Sequence, residues 1–124
     1  MKILLIDDSK VIYLIVSAIF EESGYELKWA QNGKLGMDLL NADEKFDIIL
    51  LDWNMPVMDG PTFLLEFKNK KISDMPIMML TTENSPAYIE RALNLGVAEY
   101  VMKPFTGDIL LSKIQMIVES RKAS

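Results

Sequence analysis

Short apolar runs recur along the chain, and stretches with a helical spacing of apolar positions separate them. The runs cover residues 3–6, 27–30, 48–51, 77–80 and 100–102. The first, third and fourth runs are continuously apolar, which is typical of parallel strands that helices cover on both faces. We therefore predict five strands in a sheet that is buried on both sides.

The stretches between the runs carry helix start and stop signals. Pro61 and Pro86 stand at the first positions of two predicted helices, and Gly24 and Gly96 follow the ends of two. The predicted helices cover residues 9–23, 34–43, 61–70, 86–95 and 107–121. Strict alternation of strand and helix predicts an α/β fold of the (βα)5 kind, a doubly wound, five-stranded parallel sheet as in flavodoxin.

Length limits the number of domains, and charge limits the classes of partner. The 124 residues fit one domain over residues 1–124, with no output module. The net charge of −5 repels phosphate backbones and anionic lipid, so we expect protein partners rather than nucleic acid or a membrane. We also predict a monomer. Asp7 and Asp8 interrupt the apolar N-terminus before a signal or membrane-spanning length is reached. With no cysteine in the sequence, we predict a cytoplasmic protein.

The absence of histidine and cysteine limits the chemistry of the chain. Without histidine, neither a Ser-His-Asp triad nor an imidazole metal site can form, and the chain cannot carry a phosphohistidine. Without cysteine, thiol catalysis and zinc–thiolate sites are excluded. Any bound metal must therefore have oxygen ligands, which favours Mg²⁺, Ca²⁺ or Mn²⁺.

Charged and hydroxyl side chains follow four of the predicted strands. Asp7 and Asp8 follow the first strand, Asp52 the third, Thr81 the fourth and Lys103 the fifth. Ligands of such sheets bind outside the carboxyl ends of the strands, so we expect these side chains to converge. Three neighbouring carboxylates repel one another unless a cation neutralises them, and Mg²⁺ suits a site made of oxygens.

Such a site suits phosphoryl transfer. A neutralised carboxylate can attack phosphorus and form an acyl phosphate, and Asp52 is the best candidate because it ends the central strand. Thr81 can donate a hydrogen bond to a phosphoryl oxygen. Taken alone, each residue has a plainer interpretation: adjacent acids such as Asp7 and Asp8 are usually a solvated turn or a helix cap.

Several motifs follow one another at the predicted strand ends and in the loops beside them: Asp7-Asp8, Asp52-Trp53-Asn54-Met55-Pro56, Met58-Asp59-Gly60, Thr81, Tyr100 and Lys103-Pro104-Phe105. This ordered set resembles the response-regulator receiver domain, and within it the single-domain CheY-like type. The resemblance covers essentially the whole chain and implies that Asp52 accepts a phosphoryl group from a partner phosphohistidine.

The resemblance also implies a set of metal ligands. Asp8 would hold Mg²⁺ directly, Asp7 mainly through water, and Asp52 and the backbone carbonyl of Asn54 would complete the protein ligands, with Mn²⁺ as an alternative ion. Lys103 would pair with the phosphoryl group, and the peptide between Lys103 and Pro104 would be cis.

A switch and a lifetime control follow from the same resemblance. Thr81 would be drawn toward the phosphoryl oxygens, and Tyr100 would move from an exposed to a buried rotamer; simple core packing is the plainer interpretation of Tyr100. Asn54, Thr82 and Glu83 stand where the family tunes the lifetime of the acyl phosphate, and the methyl group of Thr82 would narrow access to the site.

The resemblance implies two kinds of partner. The phosphoryl donor would be a sensor histidine kinase or a histidine phosphotransfer protein. An output protein would bind the face formed by the fourth helix, fifth strand and fifth helix, with a flagellar motor switch in chemotaxis as one candidate. A phosphorelay intermediate and a phosphate sink remain alternatives, as does a receiver excised from a longer regulator.

The first predicted helix has apolar residues on more than one side. We hypothesise that Tyr13 and Leu14 are partly exposed and belong to a surface for kinase docking or self-association; isolated exposed apolar residues are also common without any role. The stripe predicted to face the core contains Ile12, Ile15, Val16 and Ile19.

Two other functional classes use related chemistry or the same architecture. A phosphohydrolase of the haloacid-dehalogenase kind also uses an aspartate nucleophile with Mg²⁺, but it normally has a second acid where this chain has Asn54. A flavodoxin-like cofactor binder would need Gly-, Ser- or Thr-rich turns to hold phosphate, whereas Asp7 and Asp8 would repel it.

Overall fold

Strands and helices alternate without exception in the computed structural model, which describes residues 1–70 and 74–122. The five strands form one parallel sheet, so the predicted (βα)5 architecture is confirmed. The elements are β1 (Lys2–Ile6), α1 (Lys10–Ser23), β2 (Glu26–Ala30), α2 (Gly33–Asn41), β3 (Ile48–Leu51), α3 (Gly60–Lys70), β4 (Ile77–Thr81), α4 (Pro86–Asn94), β5 (Glu99–Met102) and α5 (Gly107–Lys122).

The strand order β2-β1-β3-β4-β5 places β3 at the centre of the sheet. Side chains of the central strands alternate between two apolar layers, because successive residues of a strand point to opposite faces. Leu4 and Ile6 join the layer under α2, α3 and α4, whereas Ile3 and Leu5 join the layer under α1 and α5. Burial on both faces explains why the runs 3–6, 48–51 and 77–80 contain no polar residue.

Helix ends follow the local signals in the sequence. Ser9 caps α1 by accepting a hydrogen bond of 3.2 Å from the N–H of Ile12, and Gly24 ends it in the left-handed region at φ 72°. Asn32 caps α2 in the same way through the N–H of Leu35. Helix α2 ends two residues before its predicted end, because the chain turns at Asp43 with φ 63°.

The core-facing side of α1 differs from the predicted one. Val16 and Phe20 are buried, and Ile12 and Ile19 pack partly against the same layer. Ile15, which we expected in the core, is 43% exposed, so this part of the prediction is wrong. The helix carries two apolar stripes, and the large ring of Phe20 fills the face toward the sheet instead.

None of the helices within residues 1–70 and 74–122 combines the length and the apolarity that crossing a bilayer requires.

Gly60 brings the start of α3 against the end of β3. A Cβ atom at Gly60 would lie 2.7 Å from the carbonyl oxygen of Asp52 and 2.9 Å from the Cα of Trp53. Both atoms are backbone and cannot move without shifting the loop, so we expect Gly60→Ala to lower the free energy of unfolding by about 1–3 kcal/mol in urea titrations.

Gly107 offers a matched control at the start of α5. A Cβ atom there would meet only side-chain atoms of Ile19, at 3.4 Å or more. The free energy of unfolding of Gly107→Ala should stay within about 0.5 kcal/mol of the wild-type value. Equal losses in the two variants would show that the close approach at Gly60 is not what constrains this loop.

Candidate functional site

Three carboxylates meet at the carboxyl edge of the sheet. The register pairs Ile6 with Leu51 across β1 and β3, so the next residues, Asp7 and Asp52, emerge side by side. The N–H of Asp52 donates to the carbonyl of Ile6 over 3.0 Å, which extends the ladder by one bond. Asp7 and Asp52 are buried and Asp8 is exposed; one oxygen from each lies within 4.8 Å of the others.

The ammonium group of Lys103, just after β5, lies between two of these acids. Its Nζ lies 2.7 Å from Oδ2 of Asp7 and 3.5 Å from Oδ2 of Asp52. The other oxygen of Asp7 accepts a hydrogen bond of 2.9 Å from the N–H of Ser9. One ammonium group against three carboxylates leaves an excess of negative charge in a largely buried place. The peptide between Lys103 and Pro104 is cis, as the resemblance implied.

Burial raises the pKa of the Asp52 carboxyl above its ordinary value, and the neighbouring charge of Asp7 adds to this. The ammonium group of Lys103 acts in the opposite direction, and so do hydrogen bonds from the hydroxyl of Thr81 and the N–H of Trp53. Desolvation therefore outweighs the local donors. A cation placed next to Asp52 would favour its charged form and relieve the repulsion from Asp7.

This raised pKa predicts a pH dependence of stability in metal-free buffer. The native state keeps its proton on Asp52 at pH values where the unfolded chain, with a pKa near 3.8, has lost it. Stability from this group is therefore complete below pH 3.8 and is lost as the pH rises through the native pKa. We expect the free energy of unfolding of wild type, minus that of Asp52→Asn, to fall over this range.

Asp38 supplies the control for this measurement, because its exposed carboxylate lies in an ordinary helix pair with Lys34 at 3.5 Å. The difference between wild type and Asp38→Asn should show no such fall. A flat difference for Asp52→Asn would contradict the dominance of burial at Asp52.

The loops after β3 and β4 are joined above the acids. The side-chain amide of Asn54 donates to the carboxylate of Glu83 over 2.6 Å. The N–H of Glu83 donates over 3.3 Å to the hydroxyl oxygen of Thr81, which is fully buried. Thr82 is exposed at the rim of the site. Asn54, Thr81 and Glu83 therefore form one connected polar group beside Asp52.

Tyr100 is connected to the same loop from β5. Its hydroxyl donates a hydrogen bond to the backbone carbonyl of Glu83, and its ring is partly buried against the layer under α4. Burial raises the pKa of this hydroxyl, and the charges of Glu83 and Asp52 raise it further, so the group stays a donor. The structure thus contains the inward, hydrogen-bonded arrangement of Tyr100; movement from an exposed rotamer stays a prediction.

Sequence reasoning missed one contact to the site. The indole N–H of Trp29, in β2, donates over 2.8 Å to the backbone carbonyl of Asp7, and the ring of Tyr13 stacks on the indole. The available signal was an aromatic residue in an edge strand, one residue before the strand ends. Nothing in the spacing shows which strand end its N–H reaches.

The donor set of the acidic group fits a hard divalent cation. The ligand atoms available from Asp7, Asp8 and Asp52 are oxygens, and their charge exceeds that of Lys103. Mg²⁺ prefers carboxylate oxygens and retains several waters, which suits a group that is exposed on the side of Asp8. These three residues can hold such an ion.

Comparison with known proteins gives consistent matches. Residues 3–115 match the family model of the response regulator receiver domain. A chemotaxis protein CheY homolog from Campylobacter jejuni is 36% identical over 120 residues, which are 95% of this chain and 92% of that protein. The structure of Vibrio cholerae chemotaxis protein CheY4 is 34% identical with a TM-score of 0.83, over 93% of this chain and 96% of that chain.

A second solved structure supports the fold over almost the full length. The CheY-like receiver domain protein from Methanospirillum hungatei JF-1 superposes with a TM-score of 0.89 and is 29% identical, over 98% of this chain and 96% of that chain. Agreement of sequence and structure over nearly the whole chain establishes that this protein belongs to the response regulator receiver domain family, in its CheY-like form.

Proposed function

We propose that Asp52 accepts a phosphoryl group from the phosphohistidine of a sensor histidine kinase or a histidine phosphotransfer protein, in a reaction that requires Mg²⁺. The observation that carries this proposal is the placement of Asp52. Its carboxylate is nearly buried at the centre of the sheet edge, beside two further acids and 3.5 Å from the ammonium group of Lys103. A phosphoryl acceptor of this kind needs a nucleophile and nearby positive charge that stabilises the transferred phosphoryl group.

The proposed transfer exchanges one bond to phosphorus for another. A carboxylate oxygen of Asp52 forms the new P–O bond, and the P–N bond to the donor imidazole breaks with its electron pair on nitrogen, which takes up a proton. Lys103 and the hydroxyl of Thr81 would hold the other phosphoryl oxygens, and their contacts with Asp52 support this role. Bound Mg²⁺ would supply charge neutralisation for the acids and the phosphoryl group.

The protein ligands proposed for Mg²⁺ are Asp8, Asp52 and the backbone carbonyl of Asn54, with Asp7 acting through water. The hydrogen bonds of Asp7 support a water-mediated contact with the ion, because its two carboxylate oxygens already accept hydrogen bonds from Lys103 and Ser9. Asp8 is exposed, so its carboxylate is accessible to bind the ion directly. Mn²⁺ would fit the same oxygens.

The phosphorylated state would be transmitted through Thr81, Glu83 and Tyr100. A phosphoryl group that attracts the hydroxyl of Thr81 would shift Glu83, because the N–H of Glu83 donates to that hydroxyl. The shift would reach Tyr100, whose hydroxyl donates to the Glu83 carbonyl. The lifetime of the acyl phosphate would depend on Asn54 and Glu83, joined over 2.6 Å, and on the exposed Thr82. These contacts support a readout of the phosphorylated state through residues beside Asp52.

The output is proposed to be a protein contact on the face formed by α4, β5 and α5. Tyr88 of α4 is 41% exposed and Met116 of α5 is 55% exposed. Tyrosine is enriched at protein interfaces, and the flexible methionine side chain adapts to different partners. The names of the similar proteins favour chemotaxis. In that role, the partner we propose is a flagellar motor switch. On this proposal residues 1–124 form one receiver domain that signals by binding rather than by turnover.

A transfer experiment tests the proposed function. A histidine kinase or phosphotransfer protein carrying radiolabelled phosphohistidine is mixed with the chain in Mg²⁺ or in EDTA, and the label is followed by gel. We expect the label to move to the chain only with Mg²⁺. Transfer at the same rate in EDTA, or none from phosphohistidine and acetyl phosphate alike, would contradict the proposal.

The exposed stripe of α1 is proposed as the docking surface for the phosphoryl donor. Val11, Leu14 and Ile15 are 65%, 54% and 43% exposed, and the helix begins two residues after Asp8. A donor that brings its histidine to Asp52 must cover this rim, and an apolar stripe there can pack against a helix of the donor. Tyr13 belongs less to this surface than expected, because its ring stacks on Trp29.

Replacing Leu14 with glutamate tests the docking surface. We expect transfer from phosphohistidine to slow about tenfold or more, because a charge replaces an apolar contact residue, while labelling by acetyl phosphate stays at the wild-type rate. Leu65→Glu is the control, since Leu65 lies on α3 and is 45% exposed. A Leu14→Glu protein with wild-type transfer and unchanged elution volume would exclude both docking and self-association through this residue.

A further inference from the structure

The main chain of Asp7 is held from the edge strand by both of its polar groups. The N–H of Asp7 donates to the carbonyl of Ala30 over 3.1 Å. The carbonyl of Asp7 accepts the indole N–H of Trp29 over 2.8 Å. Because β2 ends at Ala30, the indole supplies a donor at the point where regular strand pairing stops.

The ring of Tyr13 holds the indole in this orientation. The two rings stack with centroids 4.4 Å apart and an angle of 10° between their planes. Both side chains are partly buried against the layer under α1 and α5. A stacked neighbour restricts rotation of the indole, so the N–H of Trp29 remains directed at the Asp7 carbonyl.

The carboxylate of Asp8 depends on this contact more than that of Asp7 does. Asp7 is anchored through its own side chain by Lys103 and Ser9. Asp8 is exposed, and in the part of the chain that the structure describes its carboxylate has no hydrogen-bond donor. The peptide joining Asp7 to Asp8 contains the carbonyl that Trp29 holds. Loss of this hydrogen bond would release rotation about the Cα–C bond of Asp7, which moves the Asp8 carboxylate relative to Asp52.

We propose that Trp29, backed by Tyr13, is a positioning residue for the cation site. The proposal rests on the Mg²⁺-dependent function described above. By fixing the peptide between Asp7 and Asp8, the indole keeps the Asp8 carboxylate within reach of the Asp52 oxygens before a cation binds. Groups that orient metal ligands in this way contribute strongly to affinity, although they do not touch the ion.

Mg²⁺ affinity measured by isothermal titration calorimetry tests the proposal. Trp29→Phe keeps an aromatic ring against Tyr13 but removes the N–H, and we expect Mg²⁺ to bind about tenfold more weakly. Tyr25→Phe is the control, because it removes one polar group from an aromatic residue in the same layer, where Tyr25 packs on Phe20. Its Mg²⁺ affinity should equal that of wild type.

A second readout uses the wild-type protein and does not depend on a variant that folds. The chain has two tryptophans, so a ¹H–¹⁵N spectrum contains two indole signals, and triple-resonance assignment of the wild-type protein identifies that of Trp29. We expect this signal to shift during the Mg²⁺ titration, and the Kd fitted to the shift should equal the Kd from calorimetry.

The outcomes separate this proposal from the proposed function. Wild-type Mg²⁺ affinity in Trp29→Phe, or an indole signal of Trp29 that Mg²⁺ leaves unmoved, would overturn the positioning role while the phosphoacceptor function stands. Absence of saturable Mg²⁺ binding to the wild-type protein would overturn both.

Discussion

Replacing Asp52 with asparagine is expected to lower Mg²⁺-dependent labelling by acetyl phosphate at least about a thousandfold. The amide has no nucleophilic oxygen comparable to a carboxylate, and the acids that remain are committed to other contacts or to the cation. Asp7 accepts hydrogen bonds on both oxygens. The rate of acyl phosphate formation can be followed by intact mass spectrometry.

Asp59→Asn is the matched control for this variant. Asp59 is an exposed acid of the same loop region, and its Oδ1 accepts a hydrogen bond of 2.9 Å from the N–H of Thr62. Asparagine keeps that acceptor, so folding and the labelling rate should both be unchanged. Equal labelling rates in the two variants would contradict the assignment of Asp52 as the phosphoryl acceptor.

Lys103→Met is expected to lower the free energy of unfolding in metal-free buffer by about 3–5 kcal/mol at neutral pH. The ammonium group of Lys103 contacts both Asp7 and Asp52, and its side chain is only 11% exposed. Methionine fills a similar volume but leaves the fully buried Asp7 carboxylate without its ionic partner. Urea unfolding followed by circular dichroism measures the loss.

Two comparisons make the Lys103 prediction specific. Lys113→Met removes a more exposed ion pair with Glu99, 3.4 Å apart, and should cost about 1 kcal/mol or less. Mg²⁺ at a hundred times its Kd should return about 2.7 kcal/mol to Lys103→Met, because only the native state gathers the acids. A variant that is as stable as Lys113→Met, or that Mg²⁺ does not stabilise, would contradict the electrostatic role of Lys103.

The fold was predictable because burial on both faces leaves a strong pattern. The apolar runs 3–6, 48–51 and 77–80 lie in β1, β3 and β4, and the first polar residues after these runs, Asp7, Asp52 and Thr81, meet at the sheet edge. The position of Asp52 beside Asp7 follows from parallel pairing of neighbouring strands. Chain topology therefore determined most of the candidate site.

The failures have a common physical cause. Apolar spacing identifies a helix but does not distinguish between two apolar stripes, so Ile15 was expected in the core where Phe20 lies instead. Likewise, spacing along β2 shows that Trp29 belongs to a strand but not which carbonyl its indole reaches. Both outcomes depend on how large rings fill the layer under α1, which is decided by packing in three dimensions.

Trapping the acyl phosphate with borohydride tests the central claim most directly. Reduction converts a phosphorylated aspartate to homoserine, and peptide mass spectrometry then identifies its position after acetyl phosphate treatment in Mg²⁺ or in EDTA. A metal-assisted acceptor at the acidic sheet edge predicts homoserine at residue 52 in Mg²⁺ and almost none in EDTA. Homoserine at Asp7, Asp8 or another acid, or equal amounts with and without Mg²⁺, would contradict it.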